Sequence, residues 1–126
     1  MNQSQPNEQQ RIWRERVRSE GSIIDYNTTP VVEIHHPAGR TAKQDGVHIG
    51  HWYILPLVPG QHKMIDEGAS GLTRLKTMYE QGHMLEEDSL SHLTLHEFEL
   101  HAFELLVTRL RAYVPFDPEV MNAIRV

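Results

Sequence analysis

His35 and His36 stand side by side after the run Val31-Val32-Glu33-Ile34; His51 opens a second apolar run through Leu57, and His62 follows shortly after it. Hydrolysis of a phosphodiester needs an activated water, positive charge against the phosphate and help for the leaving oxygen. A neutral histidine titrating near 6.5 accepts a proton at physiological pH without a large shift. Other imidazoles can hold one divalent cation. Adjacent side chains on a regular strand point to opposite faces, yet Pro37 ends the strand directly after the pair. There the backbone can swing both rings toward one centre.

These residues need elements to hold them. The pattern predicts a helix over 8–18 with Ile12 or Trp13 and Val17 as a narrow apolar stripe, ended by Gly21. Residues 22–26 read as a short strand, Asn27-Thr28-Thr29-Pro30 as a turn, and the β-branched run 31–35 as a strand. A long surface loop over 37–50 carries Pro37, Gly39, Gly46 and Gly50 with Arg40, Lys43 and Asp45. A return strand over 51–57 follows, with Pro56 at its far end. A short helix over 61–67 holds His62 in its first turn, the small residues 68–71 break it, and Ser70 caps a helix through Leu72, Leu75, Met78 and Tyr79 to Gly82.

The acidic stretch 83–92 lacks a period and reads as a loop. Thr94 and Glu97 form a capping box for a long helix stopped by Pro115. One side holds Leu95, Phe98, Ala102, Leu105, Leu106, Arg109 and Leu110, and Glu99, Glu104 and Thr108 fall mostly opposite. Asp117-Pro118-Glu119 opens a last short helix.

The 126 residues suffice for one domain and its arms. The polar residues 1–10 are expected to be disordered. No cysteine occurs, so thiolate zinc sites and disulfides are excluded, and nine histidines and the carboxylates are the strong metal ligands. No apolar stretch approaches the roughly 20 residues that span a bilayer, and no secretory signal opens the chain, so a cytoplasmic protein without a membrane partner is expected. A net charge of −5 argues against holding nucleic acid by bulk electrostatics. Charge is unevenly spread, however: Arg11, Arg14, Arg16 and Arg18 make a basic segment, and Arg40 and Lys43 lie beside the histidine pair.

The order of strand, histidine pair, glycine-bearing loop, second strand and Pro56-Leu57-Val58-Pro59-Gly60-Gln61-His62 resembles the His-Me finger, or HNH, nucleases. Within them, His35-His36-Pro37-Ala38-Gly39-Arg40-Thr41 and Gly50-His51-Trp52-Tyr53-Ile54-Leu55-Pro56-Leu57 look most like phage-encoded Ref-type recombination enhancement nucleases. The motif covers about a quarter of the chain. The resemblance implies an α+β fold with a ββα-metal core over about 31–67, an N-terminal helix and a helical extension over 70–126, in one domain over 11–126. It implies a metal-dependent DNA endonuclease of phage or prophage recombination.

By that resemblance His35 and His62 are metal ligands and His36 is the general base. The family's middle asparagine falls on Tyr53, but His51, two residues earlier, is chemically more suitable and is preferred as a ligand or catalytic partner. Arg40, Thr41 and Lys43 would contact phosphate from the loop beside the cleft. The ion would be zinc, magnesium, manganese or nickel. A phage or host recombination protein is a further implied partner. The family's cysteines are missing here, including at Val58. A catalytically degenerate relative that binds DNA or a phage protein is therefore the alternative. A helical interaction module built on the helix after Thr94, with a face open to a homodimer, is a third reading.

His48 reads as a loop residue, His92 and His96 as surface residues at a helix start, and His83 and His101 lack an evident partner. Trp52 is expected in the core. Trp13 anchors the first helix to the body.

Overall fold

The structure, a computed structural model, describes residues 5–27 and 31–118. Helix α1 (Glu8–Ser19) begins at a reciprocal cap: Asn7 Oδ1 accepts from Gln10 N and Gln10 Oε1 accepts from Asn7 N, both at 2.8 Å. Residues 8–10, expected in a disordered tail, are thus the first turn of a helix, and residues 1–4 lie outside the described part. Trp13 and Val17 enter the core, and Trp13 Nε1 donates to the Trp52 carbonyl at 2.9 Å. That bond and the apolar stripe fix α1 against the segment carrying His51.

The strand expected at 22–26 is a turn. Its backbone bonds close on themselves, Ser22 N to Asn27 O and Tyr26 N to Ser22 O. Only Ile23 N reaches the sheet, donating to Pro56 O. The turn expected at Asn27-Thr28-Thr29-Pro30 falls mainly on residues 28–30, outside the described residues.

Strand β1 (Glu33–His35) pairs antiparallel with β2 (Leu55–Leu57) in the register Glu33↔Leu57, Ile34↔Pro56 and His35↔Leu55. Both are shorter than expected. Residues 51 and 52 belong to a one-turn helix, α2 (Ile49–Trp52), rather than to a return strand. Tyr53 N donates to Ile49 O, so residues 49 and 53 share a face and both side chains are fully buried, which strand alternation would also allow; Ile54, buried as well, breaks that alternation. The connecting loop is more ordered than its composition implies, with Gln44 and Val47 bonded across Asp45-Gly46.

Helix α3 (Pro59–Ile65) starts with proline in its first position and packs on both strands. Buried Gln61 ties its start to the turn, its Oε1 accepting from Ser22 Oγ and from Val58 N. Helix α4 (Gly68–Gly82) follows at once. The expected break at 68–71 is its first turn, and Ser70 lies within the helix rather than capping it. The buried stripe Gly71, Leu75 and Tyr79 explains the early start, because it continues one face back through the small residues.

Helix α5 (Leu95–Leu110) has the expected cap, Glu97 N donating to Thr94 Oγ1 and Thr94 N to Glu97 Oε1. It ends before Pro115, at Arg111, whose left-handed backbone lets Ala112 N reach Val107 O. Phe98, Ala102, Phe103 and Leu106 join Tyr53, Leu57, Leu75 and Tyr79 in the core. The helix expected after Asp117 falls on residues outside the described part. The described chain is thus mixed α+β, with five helices and one two-stranded sheet. Among the described residues no helix is long and apolar enough to cross a membrane.

Candidate active site

A cleft of about 810 Å³ opens between α1, β1 and α2, with Arg14, Arg18, Glu33, His36, Arg40, His51 and His62 among its walls. Ring contacts divide the histidine pair, His35 lying against His62 and His36 against His51. Glu33 and His35 share one side of β1, two residues apart, and His36 follows just beyond the strand's end. The expected convergence of both rings on one centre is therefore not built: Pro37 ends the strand but does not turn His35 toward His36. Two separate histidine pairs result.

One pair is His35 with His62, ring centroids 5.0 Å apart. His35 Nε2 lies 2.6 Å from Glu99 Oε2, and His62 Nδ1 lies 2.9 Å from Glu33 Oε1. In the neutral rings these nitrogens donate to the carboxylates, which leaves His35 Nδ1 and His62 Nε2 as the lone-pair atoms. A carboxylate behind each imidazole is the arrangement that fixes the tautomer of a metal-binding histidine. The donor chemistry suits a divalent ion. Two imidazoles are nevertheless few, and among the described residues no three histidine or carboxylate side chains are grouped as an ion would need.

His51 does not join that pair. It is buried, with its ring 6.0 Å from that of His36 at nearly a right angle and 6.0 Å from that of His48. The cause is α2: a helical turn, not a strand, sets the direction of His51 and carries it toward the cleft side of the loop. Tyr53, the other residue weighed for this position, is in the core against Phe103. Burial drives its hydroxyl far toward the neutral form.

Burial first, then the charges of Arg40, His51, His35 and Arg14, pushes His36 down to about 4. The ring is neutral at physiological pH and able to accept a proton. A phosphate seated among Arg14 and Arg40 would offset part of the charge that opposes protonation, which brings the base closer to working pH.

Of the loop residues expected at phosphate, Arg40 lines the cleft, whereas Thr41 and Lys43 are exposed on the same loop and are not among the cleft residues. Gly50 holds this loop down. Its N donates to Ala42 O, and a Cβ there would stand 1.9 Å from Gly39 O.

Four residues of this neighbourhood were not expected in it. Glu33 was detectable as the strand neighbour that shares a face with His35. Glu99 was placed on the polar side of its helix, but it is buried, on the stripe with Ala102, Phe103 and Leu106. A carboxylate on an apolar stripe demands a partner, and that is the signal it carried. Arg14 and Arg18 belonged to the basic segment and are one turn apart on α1, a spacing that puts them on one face. Away from the cleft, His83 Nε2 donates to Ile23 O while its Nδ1 accepts from the Tyr26 hydroxyl, and His101 Nδ1 meets the Tyr79 hydroxyl. These rings brace α4 and α5.

Comparison with protein-family models, curated proteins and solved structures gives no match to this chain.

Proposed function

We propose that the protein is a metal-dependent endonuclease of the His-Me finger type that hydrolyses DNA phosphodiester bonds, with β1, β2 and α3 as its ββα core. The observation that carries this reading is a neutral histidine, His36, in one cleft with three arginines, Arg14, Arg18 and Arg40. A base and phosphate-binding cations in a shared cleft are what the reaction requires.

In this reading the phosphodiester lies against the arginines and His36 removes a proton from the attacking water. The water oxygen bonds to phosphorus, the bond to the leaving oxygen breaks, and that oxygen takes up a proton. His51, beside His36, is the second catalytic histidine. His35 and His62 would hold a divalent ion, which when bound supplies positive charge beside the phosphate. Glu99 and Glu33 orient those two rings.

The test is plasmid nicking with magnesium, manganese, zinc and nickel, run with His36→Ala alongside. Loss of the general base is expected to slow cleavage by about 10²–10⁴-fold while metal binding persists. Absence of nicking by the parent with every ion, or equal rates in the variant, overturns the reading.

The alternative, a non-catalytic relative that binds DNA or a protein, is favoured by one observation. Among the described residues no three metal-ligating side chains are grouped as an ion would need. Metal titration separates the two. Tight binding that disappears in His35→Ala or His62→Ala supports the enzyme, and no affinity in the parent supports the binder.

A further inference from the structure

Helix α1 contributes more to the cleft than a wall. Arg14 and Arg18 are half-buried, and the Nε of each is shielded from solvent with no hydrogen-bond partner among the described residues. Their one acidic neighbour on the helix is Glu15, 2.8 Å from Arg18 Nη1 and 3.8 Å from Arg14 Nε, the latter beyond hydrogen-bonding distance. Arginine carries five donors in a planar fork suited to phosphate, and a shielded Nε–H without a partner is a donor that an arriving anion can satisfy. The other arginines of α1 are spent elsewhere. Arg16 donates to the Leu110 carbonyl, and Arg11 is exposed and outside the cleft.

Position adds the direction. Arg14 and Arg40 line the same cleft as His36, where they can flank a phosphate at the base. Arg18 lines the same cleft one helical turn further on, about 6 Å along the axis at 1.5 Å per residue. A single phosphate at His36 leaves it without work.

We propose that α1 is the polynucleotide-docking element, Arg14 joining Arg40 at the reacting phosphate and Arg18 holding the neighbouring backbone phosphate, so that the cleft takes a continuous strand rather than a mononucleotide. This rests on the nuclease reading for the identity of the reacting phosphate, but its test needs no cleavage.

Binding of a fluorescent duplex oligodeoxynucleotide is measured in chelator over a series of salt concentrations, with deoxyadenosine monophosphate as the one-phosphate probe. Arg18→Ala is expected to reduce the slope of log affinity against log salt by about 0.9 and to weaken the duplex more than the monophosphate. Arg14→Ala weakens both. Arg11→Ala, which removes the same charge from the same helix outside the cleft, keeps the parent's slope. Glu15→Gln releases both guanidiniums and tightens duplex binding, a gain that misfolding cannot produce.

Equal effects of Arg11→Ala and Arg18→Ala, parallel losses for both probes in Arg18→Ala, weaker duplex binding by Glu15→Gln, or a parent that does not bind duplex each overturn the inference. A protein that binds through Arg14 and Arg18 yet never cuts defeats only the nuclease reading. One that cuts while Arg18→Ala retains the parent's slope defeats only the docking element.

Discussion

Glu99 is the residue on which the His35–His62 pair depends. It is a buried carboxylate bonded to the His35 ring at 2.6 Å, and neither group is left in water to find a substitute. Glu99→Leu is expected to cost about 1–3 kcal/mol in metal-free protein, the usual penalty for stranding one partner of a buried hydrogen bond. If the pair is a metal site, the same change lowers metal affinity by about 10–100-fold, as loss of an orienting carboxylate does. Urea denaturation and calorimetric titration with manganese read the two effects, and a variant with the parent's stability and affinity refutes the role. At this scale the histidines were legible and their carboxylates were not. His35, His36, His51 and His62 stand out by type and spacing, whereas Glu99 meets His35 across 64 positions of sequence. Only the fold brings Glu99 of α5 to His35 of β1.

The elements show why local pattern misled at His51. An apolar run of this length fits a buried strand or a buried helical turn, and periodicity alone does not separate them. What decides it is the close approach of the preceding loop to Gly50, where any Cβ would stand 1.9 Å from Gly39 O and 2.9 Å from the Arg40 carbonyl. Gly50→Ala must therefore displace the loop or α2, and with them Arg40 and His51. Gly39 offers the contrast. Its backbone is left-handed at φ +80 but nothing lies within 4 Å of an added Cβ, so Gly39→Ala should cost only the conformational penalty of about 1–2 kcal/mol. Thermal unfolding is expected to rank Gly50→Ala well below Gly39→Ala, with loss of duplex binding in the former. The reverse order would mean that this loop yields easily and does not position the cleft. The hairpin strands, the capping box at Thr94 and the helix through Leu75 and Tyr79 were readable because each carries its own local signal. The turn at 22–26 was not, since its β-branched residues serve burial rather than pairing.

Across the whole molecule, mixed α+β character follows from the pattern of elements, but the net charge of −5 hid the feature that matters most for the proposed function. Net charge sums over a surface, whereas a cleft responds to the few groups that line it, here Arg14, Arg18 and Arg40 against Glu33. Those cations and burial have a consequence for stability. His36 in the folded chain is pushed down to about 4, and His101 is also lowered, by burial and then by His83. In the unfolded chain both titrate near 6.5. Between those limits the unfolded state binds more protons than the folded one, so acid favours unfolding. Stability of the metal-free protein is expected to be full above pH 6.5 and to fall as pH drops toward about 4. The upper half of that window lies above ordinary carboxylate titration and so reports the histidines. Urea midpoints in chelator at successive pH values measure it, and His36→Gln should flatten the decline. A parent whose midpoint is unchanged from pH 6.5 to 5 would mean that His36 takes up its proton in the fold as readily as in the open chain, and that the cleft neither buries it nor surrounds it with positive charge.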